Sequence, residues 1–148
     1  MQIVSTNSSA TEKLAEQIGH NLSGGEVIEL VSDLGGGKTT FVRGLARGMG
    51  SPEHVSSPTF TVSKAYKAKE LMLHHFDFYR LPEAGLIGHE LGEVLGEDEN
   101  VIVVEWAGMV QHVLPEERLT VHIKNTGEET REFVISYPKS LSYLVENL

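Results

Sequence analysis

The sequence predicts an α/β fold, a single three-layer domain in which helices cover a mixed, partly antiparallel central sheet. A short apolar segment, Val27 to Val31, leads into a glycine-rich loop and then into a helical pattern from Lys38, which is a β-loop-α unit. A continuous aliphatic run, Val101 to Val104, is typical of a central strand covered on both faces. Two pairs of strand-like segments, each joined by a turn, indicate antiparallel hairpins in the same sheet.

Length and composition fit this prediction and exclude several other classes of protein. The 148 residues are 40% hydrophobic and 22% charged. A chain of this length can bury a hydrophobic core without the support of disulfides or structural metal ions. The longest purely aliphatic run, Val101 to Val104, is far shorter than the ~20 residues of a membrane helix, and no signal-peptide pattern is visible. Because cysteine is absent, disulfides and thiolate chemistry are excluded. We expect a cytoplasmic protein without a membrane partner.

The formal net charge of -9 argues against direct binding to nucleic acid, because contacts to phosphates need basic patches. Lys64, Lys67 and Lys69 form a small basic group on a predicted strand and turn. A solvent-exposed face is the more ordinary explanation of such a group. We therefore expect that this chain does not bind nucleic acid by itself.

The first element is predicted as an amphipathic helix over Thr6 to Leu22, ended by Gly24 and Gly25. Ser8 or Ser9 is expected to cap its first turn. Residues four apart form its apolar face: Leu14, Ile18 and Leu22.

A second helix is predicted over Lys38 to Gly48, directly after the glycine-rich loop. Four apolar residues form its buried stripe: Val42, Leu45, Ala46 and Met49. Two prolines, Pro52 and Pro58, then mark a connection from Gly50 to Thr59.

The segments Thr59 to Tyr66 and Glu70 to Tyr79 predict an antiparallel hairpin with a tight turn at Lys67 to Lys69. Alternation separates the two faces of the second strand, with His75, Asp77 and Tyr79 on one side and Phe76 and Phe78 on the other. We expect aromatic packing on one face and polar chemistry on the other.

The remaining elements are a helix and a closing hairpin. Glu83 to Gly96 predicts the helix, although it contains several glycines. Leu119 to Lys124 and Arg131 to Tyr137 flank a polar turn and predict the hairpin, which a short helix from Ser140 follows.

The glycine-rich loop matches the phosphate-binding signature G-x-x-x-x-G-K-[ST] at all but its first position. Gly35, Gly36 and Gly37 lack Cβ atoms, so their backbone amides can turn inward and phosphate oxygens can approach closely. Ser32 replaces the first glycine, at the hinge between strand and loop, where a small polar residue fits unless φ must be positive.

The residues that follow the glycines complete an anion site. Lys38 is expected to meet the β- and γ-phosphates, and the Thr39 hydroxyl can ligate Mg²⁺. The start of the helix adds unpaired amides and a positive dipole. The alternative is a glycine-rich turn with a solvated lysine, but the flanking strand and helix favour a P-loop NTPase-like domain that binds a nucleoside triphosphate.

Two acidic residues are candidates for the metal and for water. Glu105 follows the aliphatic run and is expected at the carboxyl end of a buried strand, where open α/β sheets place their ligands. The alternative for Glu105 is an N-cap of a helix near Ala107. Asp77 is expected to orient water or Mg²⁺-bound water, with His75 as its neighbour.

Other interpretations of this region stay open from the sequence. His75 and Asp77 could be half of a transition-metal site, and Arg80 could pair with Asp77 structurally. Trp106, the only tryptophan, could pack in the core or stack on a base. The segment Ser57 to Phe60 could sense a γ-phosphate, with the Thr59 hydroxyl reaching metal or phosphate.

Taken together, these motifs follow one another in the order Asp33-Leu34-Gly35-x-Gly37-Lys38-Thr39-Thr40-Phe41, Arg43-Gly44-Leu45, Ser57-Pro58-Thr59-Phe60, His75-Phe76-Asp77-x-Tyr79-Arg80-Leu81 and Glu105-Trp106. In this combination the chain resembles the TsaE (YjeE) family, strongly from about Thr11 to Trp106 and more loosely through the terminal hairpin.

The resemblance implies a small P-loop ATPase of bacterial tRNA threonylcarbamoyladenosine biosynthesis, with ATP and Mg²⁺ as its ligands. It implies two partners, the TsaD transferase and its TsaB partner, and contact with tRNA through that assembly rather than by this chain alone. ATP hydrolysis would support repeated turnover of the assembly and not the carbamoyl transfer.

The resemblance also implies a role for each matching residue. The residues assigned to phosphate binding are Gly35, Gly36, Gly37, Lys38 and Thr40, and Thr39 is assigned to Mg²⁺ ligation. Lys38, Asp77 and Glu105 are the implied catalytic residues, with Glu105 also at the metal. Thr59 would belong to a switch-like loop, and Trp106 would lie near the nucleotide. Three positions depart from the family pattern: Ser32 for glycine, Gly36 where alanine is common, and Gly108 where an acidic residue is frequent. None removes a chemical group that the mechanism needs.

Two functions of different classes remain open. The first is an ATPase subunit whose hydrolysis is useful in a complex, and the second is a nucleotide-gated binding module whose hydrolysis is incidental. A small-molecule kinase is less favoured, because the few arginines are scattered and form no lid over the phosphates. A GTPase is less favoured because no N-K-x-D sequence is present.

Overall fold

The central feature of the computed structural model is a seven-stranded sheet, and the structure describes residues 1–58, 61–79, 81, 83 and 85–148. Its strands are β1 (Gln2–Ser5), β2 (Val27–Val31), β3 (Ser63–Ala68), β4 (Leu71–Asp77), β5 (Asn100–Glu105), β6 (Leu119–Asn125) and β7 (Arg131–Ser136). The helices are α1 (Ser8–Asn21), α2 (Lys38–Met49) and α3 (Gly85–Val94), and 3-10 helices cover Ala107–Val110 and Lys139–Val145.

The strand order is β1-β7-β6-β2-β5-β4-β3. Strands β6, β2, β5 and β4 run parallel, whereas β7, β1 and β3 are antiparallel to the neighbours with which they pair. The mixed sheet and the α/β fold class are therefore confirmed. Because β2 and β5 are central and buried, the loops at their carboxyl ends meet in one place.

Two apolar cores lie on opposite faces of the sheet and make the three layers. One core packs α1 and α2 on the sheet, with Ile18, Phe41 and Leu45 fully buried. The other packs α3 and the 3-10 helix Ala107–Val110 against Phe76 and Phe78. Within β4, the predicted separation of faces is confirmed for His75 and Phe76, because Phe76 belongs to this core and the neighbouring His75 does not. Phe78 and Tyr79 follow the end of the strand, and the Tyr79 ring contacts Trp106, which packs against the same core as Phe78.

The close approach of α1 and α2 depends on glycine. A Cβ at Gly48 would lie 2.2 Å from the carbonyl oxygen of Glu16, and one at Gly44 would lie 2.4 Å from that of Glu12. The two backbones therefore touch where a side chain has no room. This contact anchors α2, whose first turn follows the glycine-rich loop.

Several predicted boundaries shift in the structure. Helix α1 begins at Ser8, and its N-cap is Asn7, not Ser8 or Ser9, because Asn7 Oδ1 accepts the amide of Ala10 at 2.8 Å. Helix α3 covers Gly85–Val94, inside the predicted Glu83 to Gly96. The short C-terminal helix is a 3-10 helix over Lys139–Val145.

The first hairpin is longer on its turn side than the sequence indicates. Pairing continues to Ala68 and Leu71, so the turn is Lys69-Glu70, and Lys69 has a left-handed φ of 57°. Strand β3 begins at Ser63, because Val62 also has a positive φ, 67°, which interrupts extended structure before it.

Strand β1 was not predicted. Gln2–Ser5 is an edge strand that pairs with β7, more than a hundred residues away, and its Val4 side chain is 59% exposed. In the described part of the chain, no helix is long and apolar enough to cross a membrane.

Candidate functional site

The glycine-rich loop and both candidate acids meet at one edge of the sheet. The loop follows β2, while Asp77 ends β4 and Glu105 ends β5. The register pairs Glu105 with Leu30 of β2 on one side and with Asp77 on the other. Parallel pairing therefore brings the two carboxylates next to each other, beside the loop.

A cavity of about 280 Å³ lies between these elements. It is lined by Leu34, Gly35, Gly36, Gly37, Lys38, Thr39, Ser57, Asp77, Glu105 and Trp106. Most of the residues that the sequence singled out are thus brought together. Thr40 lies outside this cavity and lines a second one, and Thr59, with Arg80, lies outside the described residues.

The loop has the backbone that an anion site needs. Gly37 has a φ of 101° and forms the N-cap of α2, with its carbonyl oxygen accepting the amide of Phe41 at 3.0 Å. This left-handed conformation suits glycine and directs the loop into the first turn of α2. The amides of that turn have no intrahelical acceptor, which makes the end of the helix favourable for an anion.

Lys38 is held inside the cavity by neutral oxygens. Its Nζ donates to Ser32 Oγ at 3.0 Å, to the carbonyl of Asp33 at 3.1 Å and to that of Ser32 at 3.4 Å. It also lies 5.0 Å from the centroid of the Trp106 ring, a cation–π contact. Lys38 is buried, yet carbonyls, a hydroxyl and an indole surround its charge, which therefore remains available to a phosphate.

Glu105 is buried beside a histidine. His75 Nε2 lies 2.7 Å from Glu105 Oε1, and both side chains are almost fully buried. A carboxylate only accepts, so Nε2 is the donor. His75 Nδ1 is buried and has no hydrogen-bond partner among the described residues. The contact engages Oε1 and so fixes the orientation of the carboxylate of Glu105, a residue that lines the cavity.

Asp77 is also buried, at 2% exposure, although it lines the cavity. Its Oδ1 accepts the backbone amide of Tyr79 at 2.9 Å, which fixes the side chain at the end of β4. The structure therefore holds both carboxylates in place by contacts that sequence reasoning did not identify.

Trp106 adopts an unusual backbone conformation. Its φ of 55° and ψ of 48° are left-handed, which is rare for a large side chain and marks a constrained site. The half-buried indole packs against the apolar core below α3 and lies 5.0 Å from the Tyr79 ring. Trp106 thus joins core packing on one side to the cavity on the other.

Two alternatives from the sequence can be decided. The residue that precedes the 3-10 helix Ala107–Val110 is Trp106, and no side chain of the described residues caps this helix, so the N-cap interpretation of Glu105 is wrong. In the described part of the chain, no group of three histidine, aspartate or glutamate residues could hold a metal, so His75 and Asp77 do not belong to such a transition-metal site there.

A second cavity, of about 230 Å³, adjoins the first at Gly37. Its other lining residues are Ser8, Thr11, Thr40, Glu128, Glu129 and Arg131. Sequence reasoning treated Ser8 only as a cap and the hairpin after β6 only as a closing element. No local signal indicates this cavity, because it forms where the start of α1 meets the turn of a distant hairpin.

Two groups outside the phosphate cavity, Glu12 and Tyr143, have clearly shifted pKa values. Burial raises the pKa of Glu12, but hydrogen bonds and charges from Arg43 and Arg47 outweigh it and hold the pKa below its ordinary value of 4.5. Burial and a hydrogen bond to Glu26 raise the pKa of the Tyr143 hydroxyl. Glu12 links α1 to α2 and so supports the helix that carries Lys38.

Comparison with known proteins identifies the family. A family model described as "Threonylcarbamoyl adenosine biosynthesis protein TsaE" matches residues 5–133. The chain belongs to the TsaE family. Members of this family take part in tRNA threonylcarbamoyladenosine biosynthesis, and nucleotide binding by a P-loop is consistent with family and fold.

Individual TsaE proteins are similar over most of the chain. The tRNA threonylcarbamoyladenosine biosynthesis protein TsaE of Bacillus subtilis is 38% identical over 135 residues, which cover 88% of this chain and 81% of that protein. The protein of the same name from Treponema pallidum is 33% identical over 136 residues, with 92% and 100% covered. The crystal structure of Bacillus subtilis YdiB is similar with a TM-score of 0.76 and 33% identity, covering 99% of this chain and 91% of that one.

Proposed function

We propose that this chain is a Mg²⁺-dependent P-loop ATPase that acts in the cytoplasm with the TsaD transferase and TsaB to support tRNA threonylcarbamoyladenosine modification. One observation carries the proposal: Lys38 and Thr39 share a cavity with Asp77 and Glu105. A cation, helix amides, a hydroxyl and two carboxylates in one place are the groups that phosphoryl transfer requires.

The donor set fits magnesium bound together with a nucleotide. Mg²⁺ is usually held by one or two carboxylates, a hydroxyl and substrate phosphates, with water completing its shell. A site of this kind needs no cluster of three protein acids, and Thr39, Asp77 and Glu105 supply hard oxygen ligands. When bound, the ion would neutralise charge on the β- and γ-phosphates.

The protein residues would divide the remaining work. Lys38 would keep its hydrogen bond to Ser32 Oγ and exchange those to the backbone carbonyls of Ser32 and Asp33 for phosphate oxygens, which adds charge-assisted hydrogen bonds. Asp77 orients the attacking water. Glu105 is kept in one orientation by His75, and its carboxylate would help to hold the metal ion.

The two adjoining cavities suggest how the nucleotide lies. The cavity with Lys38 and the carboxylates suits the β- and γ-phosphates, whereas Thr40 lines the neighbouring cavity and would meet the α-phosphate. The nucleoside would then occupy the cavity between Thr11 and Arg131. In this arrangement Trp106 lies at the phosphate end and reports binding through its contact with Lys38.

A titration with ATP and with GTP tests the nucleotide. Emission from Trp106, the only tryptophan, is expected to change as phosphate oxygens approach Lys38 beside the indole ring. ATP should bind in the presence of Mg²⁺, and Lys38→Ala should weaken the binding about 100-fold or more, because a desolvated cation is lost from the phosphate site. Absence of any binding, also with the partner proteins present, would contradict the proposal.

The Asp77→Asn variant separates hydrolysis from nucleotide-gated binding. We expect the variant to bind MgATP and join the complex, while multiple-turnover tRNA modification falls about 100-fold or more, because a group that orients water is lost. Glu29→Gln changes a buried acid outside the cavity and serves as the control. Full modification by Asp77→Asn would favour the nucleotide-gated binding module.

A further inference from the structure

Ser32 and Gly36, at opposite ends of the glycine-rich loop, are in direct spatial competition. A Cβ at Gly36 would lie 2.2 Å from Ser32 Oγ and 2.8 Å from Ser32 Cβ. Non-bonded carbon and oxygen atoms do not approach this closely. The φ of Gly36 is not in the positive range, so its backbone would accept an alanine if there were space.

The Ser32 hydroxyl that fills this space is engaged in two hydrogen bonds. It donates to the carbonyl of Asp33 at 2.9 Å and accepts from Lys38 Nζ at 3.0 Å. The hydroxyl has one proton to donate and lone pairs to accept, so both contacts form together. Ser32 also has no positive φ, so its side chain costs no backbone strain where the loop signature has glycine.

We propose that Ser32 is a positioning residue for Lys38, and that position 36 is glycine because the Ser32 side chain occupies the space of a Cβ there. The two positions act as one compensating pair. Of the oxygens of described residues that accept from Lys38 Nζ, Ser32 Oγ is the nearest, and the other two are backbone carbonyls. It therefore fixes the ammonium group over the Trp106 ring, at the entrance to the phosphate position.

The packing half of this inference is independent of any ligand, whereas the positioning half rests on the proposed function. A four-protein cycle tests the packing half by thermal unfolding without nucleotide. The proteins are the wild type, Ser32→Gly, Gly36→Ala and the double variant.

Gly36→Ala should lower Tm by about 5 °C, because the added methyl group overpacks the loop. The double variant should regain most of that loss, since removal of the Ser32 side chain opens the space. The contact of 2.9 Å to the Asp33 carbonyl remains and requires a small backbone shift. Additive effects of the two substitutions would overturn the compensating pair.

Ser32→Ala tests the positioning half, because it keeps Cβ and removes only the hydroxyl. We expect MgATP to bind about 5- to 10-fold more weakly, since one of the hydrogen bonds that preorganise Lys38 is lost, while Tm stays within about 2 °C. Emission from Trp106 without nucleotide should also shift, because Lys38 Nζ is no longer held over the ring.

Wild-type affinity together with wild-type emission in Ser32→Ala would overturn the positioning role. A wild-type protein that binds no MgATP would overturn the proposed function and the positioning role with it. Even if the wild type binds no MgATP, non-additive effects on Tm at positions 32 and 36 would confirm the compensating pair. Failure of the proposed function and failure of the compensating pair are therefore distinguishable.

Discussion

Two buried glutamates on adjacent central strands have opposite surroundings. Glu29 on β2 lies 2.7 Å from Arg118 Nε and 2.6 Å from Gln111 Nε2, so both of its oxygens are satisfied. Glu105 on β5 meets His75 through one oxygen and lines the phosphate cavity. No lysine or arginine in the described part of the chain forms an ion pair with Glu105.

The difference separates a structural acid from a functional one. Removing a carboxylate from water is costly unless a partner compensates it. Glu29 has that partner within the protein, so its charge is neutralised in the folded state. Glu105 has a fixed orientation without a fixed cation, which leaves its negative charge for a metal ion. The same residue type therefore has two roles, decided by what surrounds it.

Of the substitutions in this comparison, Glu105→Gln should have the largest effect, and the effect should be on catalytic activity. We expect ATP hydrolysis to fall by about 100-fold or more, because the amide cannot replace a charged carboxylate at the metal. Tm should be unchanged or higher, since a buried charge is removed while a hydrogen bond to His75 remains feasible. Hydrolysis at the wild-type rate, measured by phosphate release, would show that Glu105 is structural.

Glu29→Ala should act on stability instead. It leaves Arg118 without its carboxylate, and we expect the free energy of unfolding to fall by about 3 kcal/mol. This is the lower end of the range, because Arg118 keeps contacts to Pro115 and Gln111. Denaturant unfolding measures it, and MgATP affinity of the folded protein should not change. Replacing Glu29 by Met and Arg118 by Leu together should recover part of the loss.

Glu12→Gln should give the smallest effect, which depends on pH. Because the folded state lowers the pKa of Glu12, the unfolded state takes up the proton first, and acid favours unfolding. The stability that Glu12 provides is thus present above pH 4.5 and is lost as pH falls below it. We expect at most about 1 kcal/mol near neutral pH, since the side chains of Arg43 and Arg47 are partly open to solvent, which screens the charges.

Urea unfolding of wild type and Glu12→Gln between pH 3 and pH 7 measures that dependence. The difference between the two proteins should shrink toward the acid end. Replacing Arg43 and Arg47 by Met should remove the same pH-dependent part. A difference that grows on acidification would contradict the assignment.

Local patterns were sufficient for much of the fold and of the site. The β2-loop-α2 unit, the buried strand around Val101 to Val104 and the closing hairpin appear where the sequence predicts them. The first hairpin lies in the predicted segment, with its turn shifted to Lys69-Glu70. Lys38 and Thr39 share a cavity with both predicted acids, Asp77 and Glu105. The elements themselves depend on residues close in sequence, whose spacing encodes strand alternation, loop flexibility and helix start. The two acids could be predicted near the loop because open α/β sheets place their ligands at the carboxyl ends of the strands.

Long-range pairing decided what the sequence could not show. The edge strand β1, the contact of His75 with Glu105 and the second cavity beside Thr40 each join residues distant along the chain. Packing of the whole sheet determines which of these residues come into contact, and the spacing of residues along the chain does not predict it.

The amino-acid sequence by itself determined the phosphate loop, the alternation of the strands and the acids at their ends, because each is a matter of residue type and spacing. The tertiary structure alone decided the strand order, the neighbour of each buried carboxylate and the space that Ser32 leaves to Gly36. These three features depend on which apolar surfaces pack against each other and exclude water in the folded protein, which is a property of the whole core.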